Sequence, residues 1–202
     1  MSTIIFSERR ESSVRPCAKV TFMLKRLGFG VLLLSVFTTA WAANELSNRR
    51  APGFSLPDMN LKQHDLADYR GKVVLLNIMR TDCPHCGSFS KVLAAAQDKY
   101  GDRLQVLSIV NTPPETQNTV RGYLAENGGN LVVLFDCSQV AISYLKVSPK
   151  RPTIEVPHFF VIDQRGWIRE DYGYDVLSRG IFEQDGLFPI IDRYVSKPAR
   201  AD

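Results

Sequence analysis

The chain is poor in the residues that build metal centres: its 202 residues include three histidines and four cysteines. Only Cys83 and Cys86 stand at ligand spacing, and a four-ligand zinc site needs a second Cys or His pair that does not appear. Internal repeats, low-complexity segments and long runs of one charge are also missing, which excludes solenoids and charged tails. The formal charge of +4 leaves no nucleic-acid footprint. Residues 1–42 carry six Lys/Arg against two Asp/Glu, so 19 of each sign remain from Ala43 onward.

The apolar run Leu27–Thr39 falls short of the ~20 residues a membrane span prefers. It follows Lys25-Arg26 and precedes Ala40-Trp41-Ala42, with small residues at the −3 and −1 positions of a cut after Ala42. This pattern reads as a secretory signal over 1–42, with an uncleaved N-terminal membrane anchor as the rival reading. Met23-Leu-Lys-Arg offers a second start besides Met1, and Cys17 would be lost on cleavage. The remaining expectation is a polar tether at 43–49, one domain at 50–196 and a fraying tail at 197–202. The product would be periplasmic or otherwise extracytoplasmic.

What the chain does contain is Cys83-Pro84-His85-Cys86, directly after the apolar run Lys72–Met79. The order reads as a strand delivering two cysteines to a helix N-terminus. Free backbone N–H groups and the positive end of the helix dipole favour a thiolate there, and the thiolate is the nucleophile. Two intervening residues place the second cysteine one turn on, within reach of an S–S bond that resolves a mixed disulfide. Cys83 attacks and Cys86 resolves. Pro84 suits the first turn, and Gly101 suits the position after the helix end. In an oxidising compartment most cysteine pairs are structural, but so small a loop removes little chain entropy and is a poor staple. Two unrelated buried cysteines are the bland alternative.

Apolar β-branched runs at Val73–Met79, Leu104–Val110, Leu131–Phe135 and Phe159–Asp163 alternate with helical stretches at 83–100, about 114–127 and 138–145. Alternation of this kind predicts an α/β sheet flanked by helices. A hairpin turning at Gln164–Gly166 leads into Trp167–Tyr172. A last helix covers about Leu187–Val195, broken by Gly186 and Pro189.

Arg50–Asp58, Asp65–Lys72, the strand, the CxxC motif and Val156–Asp163 together resemble the TlpA/ResA branch of the thioredoxin-like family. The resemblance implies a thioredoxin-like fold: a central mixed sheet flanked by helices, with a strand and helix inserted at Leu131–Leu145 between the CxxC helix and a cis-proline loop. It implies an exported thiol–disulfide oxidoreductase whose only redox group is the Cys83–Cys86 disulfide. Its partners would be cysteine-containing exported proteins and a membrane redox partner. It further implies that Pro157 is the cis-proline facing the cysteines and that Val156 offers its backbone to a substrate chain. From the residues alone, Pro157 is merely a proline before a strand.

The direction of electron flow is contested within the motif. His85 beside the sulfur favours the thiolate, stabilises the reduced pair and makes the disulfide oxidising. The Pro84-His85 dipeptide and the valine before Pro157 resemble DsbA-type oxidases, whereas the body resembles reductases. Asp82 stands where the family usually has tryptophan: its charge would raise the Cys83 pKa, or its side chain caps the helix. The glutamate many reductases of this branch carry six residues after the first cysteine is Phe89 here, with no obvious buried acid in its place. Oxidase or isomerase action is therefore favoured over reduction. Cys137 reads as a small buried residue, a resolving thiol or an interchain partner, and His158 faces either the site or solvent. His64 is expected in a polar turn without chemical work.

Two other classes are weighed. A copper or haem-delivery chaperone would use Cys83, Cys86 and His158, although the dedicated copper chaperones of this superfamily have a three-residue gap. A peroxidase needs Thr or Ser three residues before its reactive cysteine, and that position is Arg80.

Overall fold

The structure is a computed structural model and describes residues 46–196. The expected signal segment, residues 43–45 of the expected tether and the whole of the expected tail lie outside these residues. Six strands form one sheet in the order β1-β8-β7-β4-β5-β6, from β1 (Arg49–Arg50), β4 (Val73–Ile78), β5 (Leu104–Asn111), β6 (Val132–Asp136), β7 (His158–Ile162) and β8 (Trp167–Gly173). Strands β4, β5 and β6 run parallel, while β7 is antiparallel to both β4 and β8. A separate hairpin joins β2 (Ser55–Pro57) to β3 (Gln63–Asp65).

Every residue of β4 is buried, because both sheet faces are covered. Val73 and Leu75 face a cluster built with Phe89, Leu93 and Ala96 of α1 (Pro84–Tyr100). Val74, Leu76 and Ile78 face the other cluster with Tyr144 and Leu145 of α3 (Gln139–Leu145). The mixed α/β architecture and the inserted β6–α3 pair are thus as expected. Helix α1 ends at Gly101, whose φ of 53° suits a residue without Cβ.

Several local readings need correction. Helix α2 (Gln117–Asn127) starts three residues later than expected, because Thr116 is its N-cap: its side chain accepts the Thr119 N–H, and Thr119 answers to the Thr116 N–H. Pro113 and Pro114, each following a cis peptide, lie in the preceding loop. Pro189 does not break α5 (Leu187–Val195); it is the third residue of the helix, where its missing N–H has no intrahelical partner to lose. The short helix α4 (Arg179–Glu183) was not expected. Nor do the described residues of the expected tether, 46–49, stay free, since Leu46 and Ser47 are buried and β1 pairs with β8. His64 is buried on β3 rather than placed in a polar turn, bonded to Tyr69 and to Asp58 at 3.1 Å.

Candidate active site

Strand β4 ends in the loop Met79–Asp82, and α1 begins at Pro84, so the motif sits at the C-terminal edge of the parallel strands. Cys83 is itself the N-cap: its sulfur accepts the Cys86 N–H at 3.4 Å. Pro84 occupies the first helical position, as expected. Asp82 does not cap the helix. It pairs with Arg80 on the surface, and both are exposed.

The two cysteines, present as thiols, differ in access. Cys83 is partly exposed and Cys86 has no exposed surface. Burial pushes the Cys86 thiol well above its ordinary range; its hydrogen bond with Cys83 adds to this and one from the Arg80 backbone opposes it. An incoming sulfur therefore meets Cys83, while Cys86 waits as a protonated thiol one turn below. The Cys83 thiol points at the Val156 carbonyl, 3.9 Å away, and the Val156–Pro157 peptide is cis. Pro157 accepts the Tyr174 N–H at 3.2 Å, which ties the loop to the end of β8.

His85 finds its partners in the C-terminal part of the chain. Its ring stacks on Tyr174 with centroids 4.1 Å apart, and Nδ1 lies 3.2 Å from Glu183 Oε1. Glu183 also accepts from the Tyr174 hydroxyl at 2.6 Å and from Arg179 at 2.7 Å. The bonds from Tyr174 and Arg179 lower its carboxyl to about 2; burial opposes them and the His85 bond adds to the fall.

Other candidates lie away from the sulfurs. His158 faces neither the motif nor solvent. It shares the sheet face of Phe160, ring to ring at 4.9 Å, and bonds Asp171 at 3.3 Å, whereas its neighbour Phe159 packs on Phe89 of α1. The copper reading therefore loses the third ligand it invoked. Cys137 is exposed, not buried, between β6 and α3. Among the described residues, no group of three or more His, Cys, Asp or Glu side chains is arranged to hold a metal ion.

Glu115 is the acid that sequence reasoning missed. It is buried, and it accepts the Thr81 N–H at 2.8 Å, the Thr81 hydroxyl at 2.6 Å and the Thr119 hydroxyl at 2.7 Å. It thus braces the loop that carries Cys83. A lone acid after two prolines gives no local signal of this role. Beside it opens a cavity of about 400 Å³, lined by Met79, Arg80, Glu115, Asp136, Ile154 and Val156 among others. Phe89, at the position of the missing glutamate, is fully buried against Phe159 and Phe182.

Known proteins resemble this chain in sequence and fold. Residues 48–171 match the AhpC/TSA family. The thioredoxin-like protein YneN of Bacillus subtilis is 26% identical over 159 residues, covering 73% of this chain and 89% of the relative. The thiol–disulfide oxidoreductase ResA of the same organism is 28% identical over 116 residues, covering 57% of this chain and 61% of ResA. A thiol:disulfide interchange protein of the thioredoxin family from Chlorobium tepidum superposes with a TM-score of 0.60 at 22% identity, over 73% of this chain and 96% of its own, a likeness of fold.

Proposed function

This chain belongs to the AhpC/TSA family and is a thiol–disulfide oxidoreductase of thioredoxin-like fold, and from that premise we propose that it exchanges disulfides with cysteines of exported proteins, acting as an oxidase or isomerase. The observation that carries this reading is the asymmetry of the pair: an accessible Cys83 sulfur on a helix N-terminus above a buried Cys86. In the oxidised protein, a substrate thiolate attacks Cys83. The Cys83–Cys86 bond breaks, Cys86 leaves as thiolate and takes a proton, and the substrate is held as a mixed disulfide. A second substrate thiolate attacks the substrate sulfur, and Cys83 leaves. Two substrate thiols become one disulfide, and the pair gains two electrons that a membrane redox partner must remove.

Val156 and Pro157 position the substrate chain beside Cys83, supported by the Val156 carbonyl at 3.9 Å. The oxidising direction is supported by the Pro84-His85 dipeptide and by the phenylalanine at 89, which leaves no carboxylate there to take the Cys86 proton. Export is supported by the pattern of residues 25–42, outside the described residues. Peroxidase chemistry finds no support at Arg80, which pairs with Asp82.

The test is a redox titration against glutathione of the protein carrying Cys17→Ser and Cys137→Ser, read by mass after alkylation. A potential near or above about −180 mV is expected; one near about −270 mV assigns the protein to reductases. In the same background, reduced Cys86→Ser should attack a disulfide-linked peptide dimer through Cys83, release one peptide thiol and accumulate the mixed disulfide, and Cys83→Ser should form none.

A further inference from the structure

We infer that the turn following Tyr174 is an apolar docking rim, which selects protein substrates carrying hydrophobic residues next to the reactive cysteine. The inference rests on the exchange reading above and names the substrate class for that same site. Val176 and Leu177 are 90% and 97% exposed, adjacent in the chain, and more exposed than any other large hydrophobic among the described residues. Single apolar residues on a surface are ordinary, but a neighbouring pair held this far into water needs a reason.

The turn is built to hold them there. Asp175 Oδ1 accepts the N–H groups of Leu177 and Ser178, each at 2.7 Å, and the Asp175 N–H reaches Ser178 Oγ at 2.8 Å. Ser178 Oγ also donates to the Gly173 carbonyl at 2.8 Å. These bonds involve Asp175, Ser178 and backbone only, so polar side chains at 176 and 177 would serve the turn equally well.

Its place gives the pair a use. Tyr174, two residues before Val176, stacks on His85 of the motif and donates its N–H to Pro157. Val176 and Leu177 therefore lie within about 7 and 11 Å, Cα to Cα, of Tyr174, whose N–H bonds Pro157 and whose ring stacks on His85. A peptide whose cysteine reaches Cys83 along Val156 passes this rim, and burying an apolar neighbour against it favours that peptide over a small polar disulfide. A lipid surface fits less well: residues 174–186 carry Asp175, Glu183 and Asp185 against Arg179, and anionic headgroups would be repelled.

The experiment compares the full chain with its Val176→Ser, Leu177→Ser variant, both oxidised, in exchange with three thiols: a peptide whose cysteine is flanked by leucines, the same peptide with serines, and reduced glutathione. For the leucine peptide, the second-order rate constant for reduction of the Cys83–Cys86 disulfide should fall about tenfold or more, while those for the other two change less than about twofold. Equal losses on all three, or no loss on the leucine peptide, overturn the rim. Unchanged peptide exchange together with lost binding to phosphatidylcholine vesicles overturns it in favour of lipid. A wild-type protein inert toward all three thiols overturns the exchange reading itself; an active wild type with an unaffected variant overturns the rim alone.

Discussion

Glu183 gathers the hydroxyl of Tyr174, the guanidinium of Arg179 and the imidazole of His85 on one carboxylate, and so ties α4 to the redox motif. These partners favour the ionised form, which lowers its pKa from 4.5 to about 2. The folded value lies below the unfolded one. Its stabilising contribution is therefore complete above about 4.5 and is lost as pH falls toward 2. A carboxyl titration followed by NMR should place the Glu183 midpoint near 2, and a midpoint near 4.5 would mean that the cluster does not form in solution. Asp171 follows the same logic inside the fold. Burial pushes its carboxyl up, but hydrogen bonds from His158 and Ser47, with the charges of His158 and Arg49, bring it below the usual value.

At the scale of elements, the unit that matters is strand β4, its loop and helix α1. Strand and helix are anchored by apolar contacts on the sheet, but beyond the buried Met79 the loop residues Arg80–Asp82 carry no large apolar side chain, and Thr81 is held by Glu115. Replacing Glu115 by alanine leaves the Thr81 N–H and two threonine hydroxyls without their acceptor. It should cost about 1–3 kcal/mol in urea unfolding, with glutamine recovering part of the loss. An unchanged unfolding midpoint would show that water replaces the carboxylate at no cost. Helix α1 itself was readable from its residues: cysteine before proline, apolar residues at helical spacing, glycine at the end. Its later neighbour α2 was misread at the start, because two prolines suggested a first turn while Thr116, two residues beyond, had the side chain that caps it.

At the scale of the molecule, residues 46–50 belong to the fold. Leu46 is buried under the sheet, and Ser47 bonds Asp171. Arg49 donates to the Tyr144 carbonyl at 2.6 Å, and β1 extends the sheet beyond β8. A protein starting at Ala51 should be less stable than one starting at Ala43 by about 2–4 kcal/mol, from one leucine and a few hydrogen bonds. Urea unfolding of the two measures this, and equal midpoints would return the segment to the role of a tether.

Short-range order was legible without coordinates. The period of Val73–Met79, the Cys83–Cys86 spacing, Pro84 at the first helical turn and Gly101 at the last are all decided by residues within a turn or two of each other, so the sequence by itself determined the redox pair and the α/β scaffold. The side-chain partners that surround the pair come from distant segments. His85 meets Glu183, Thr81 meets Glu115, and His158 turns to Asp171 because a strand alternates its faces and Phe159 takes the one toward α1. Only packing brings such pairs together, since a lone acid or histidine has no local signature of what it will face. The tertiary structure alone decided them.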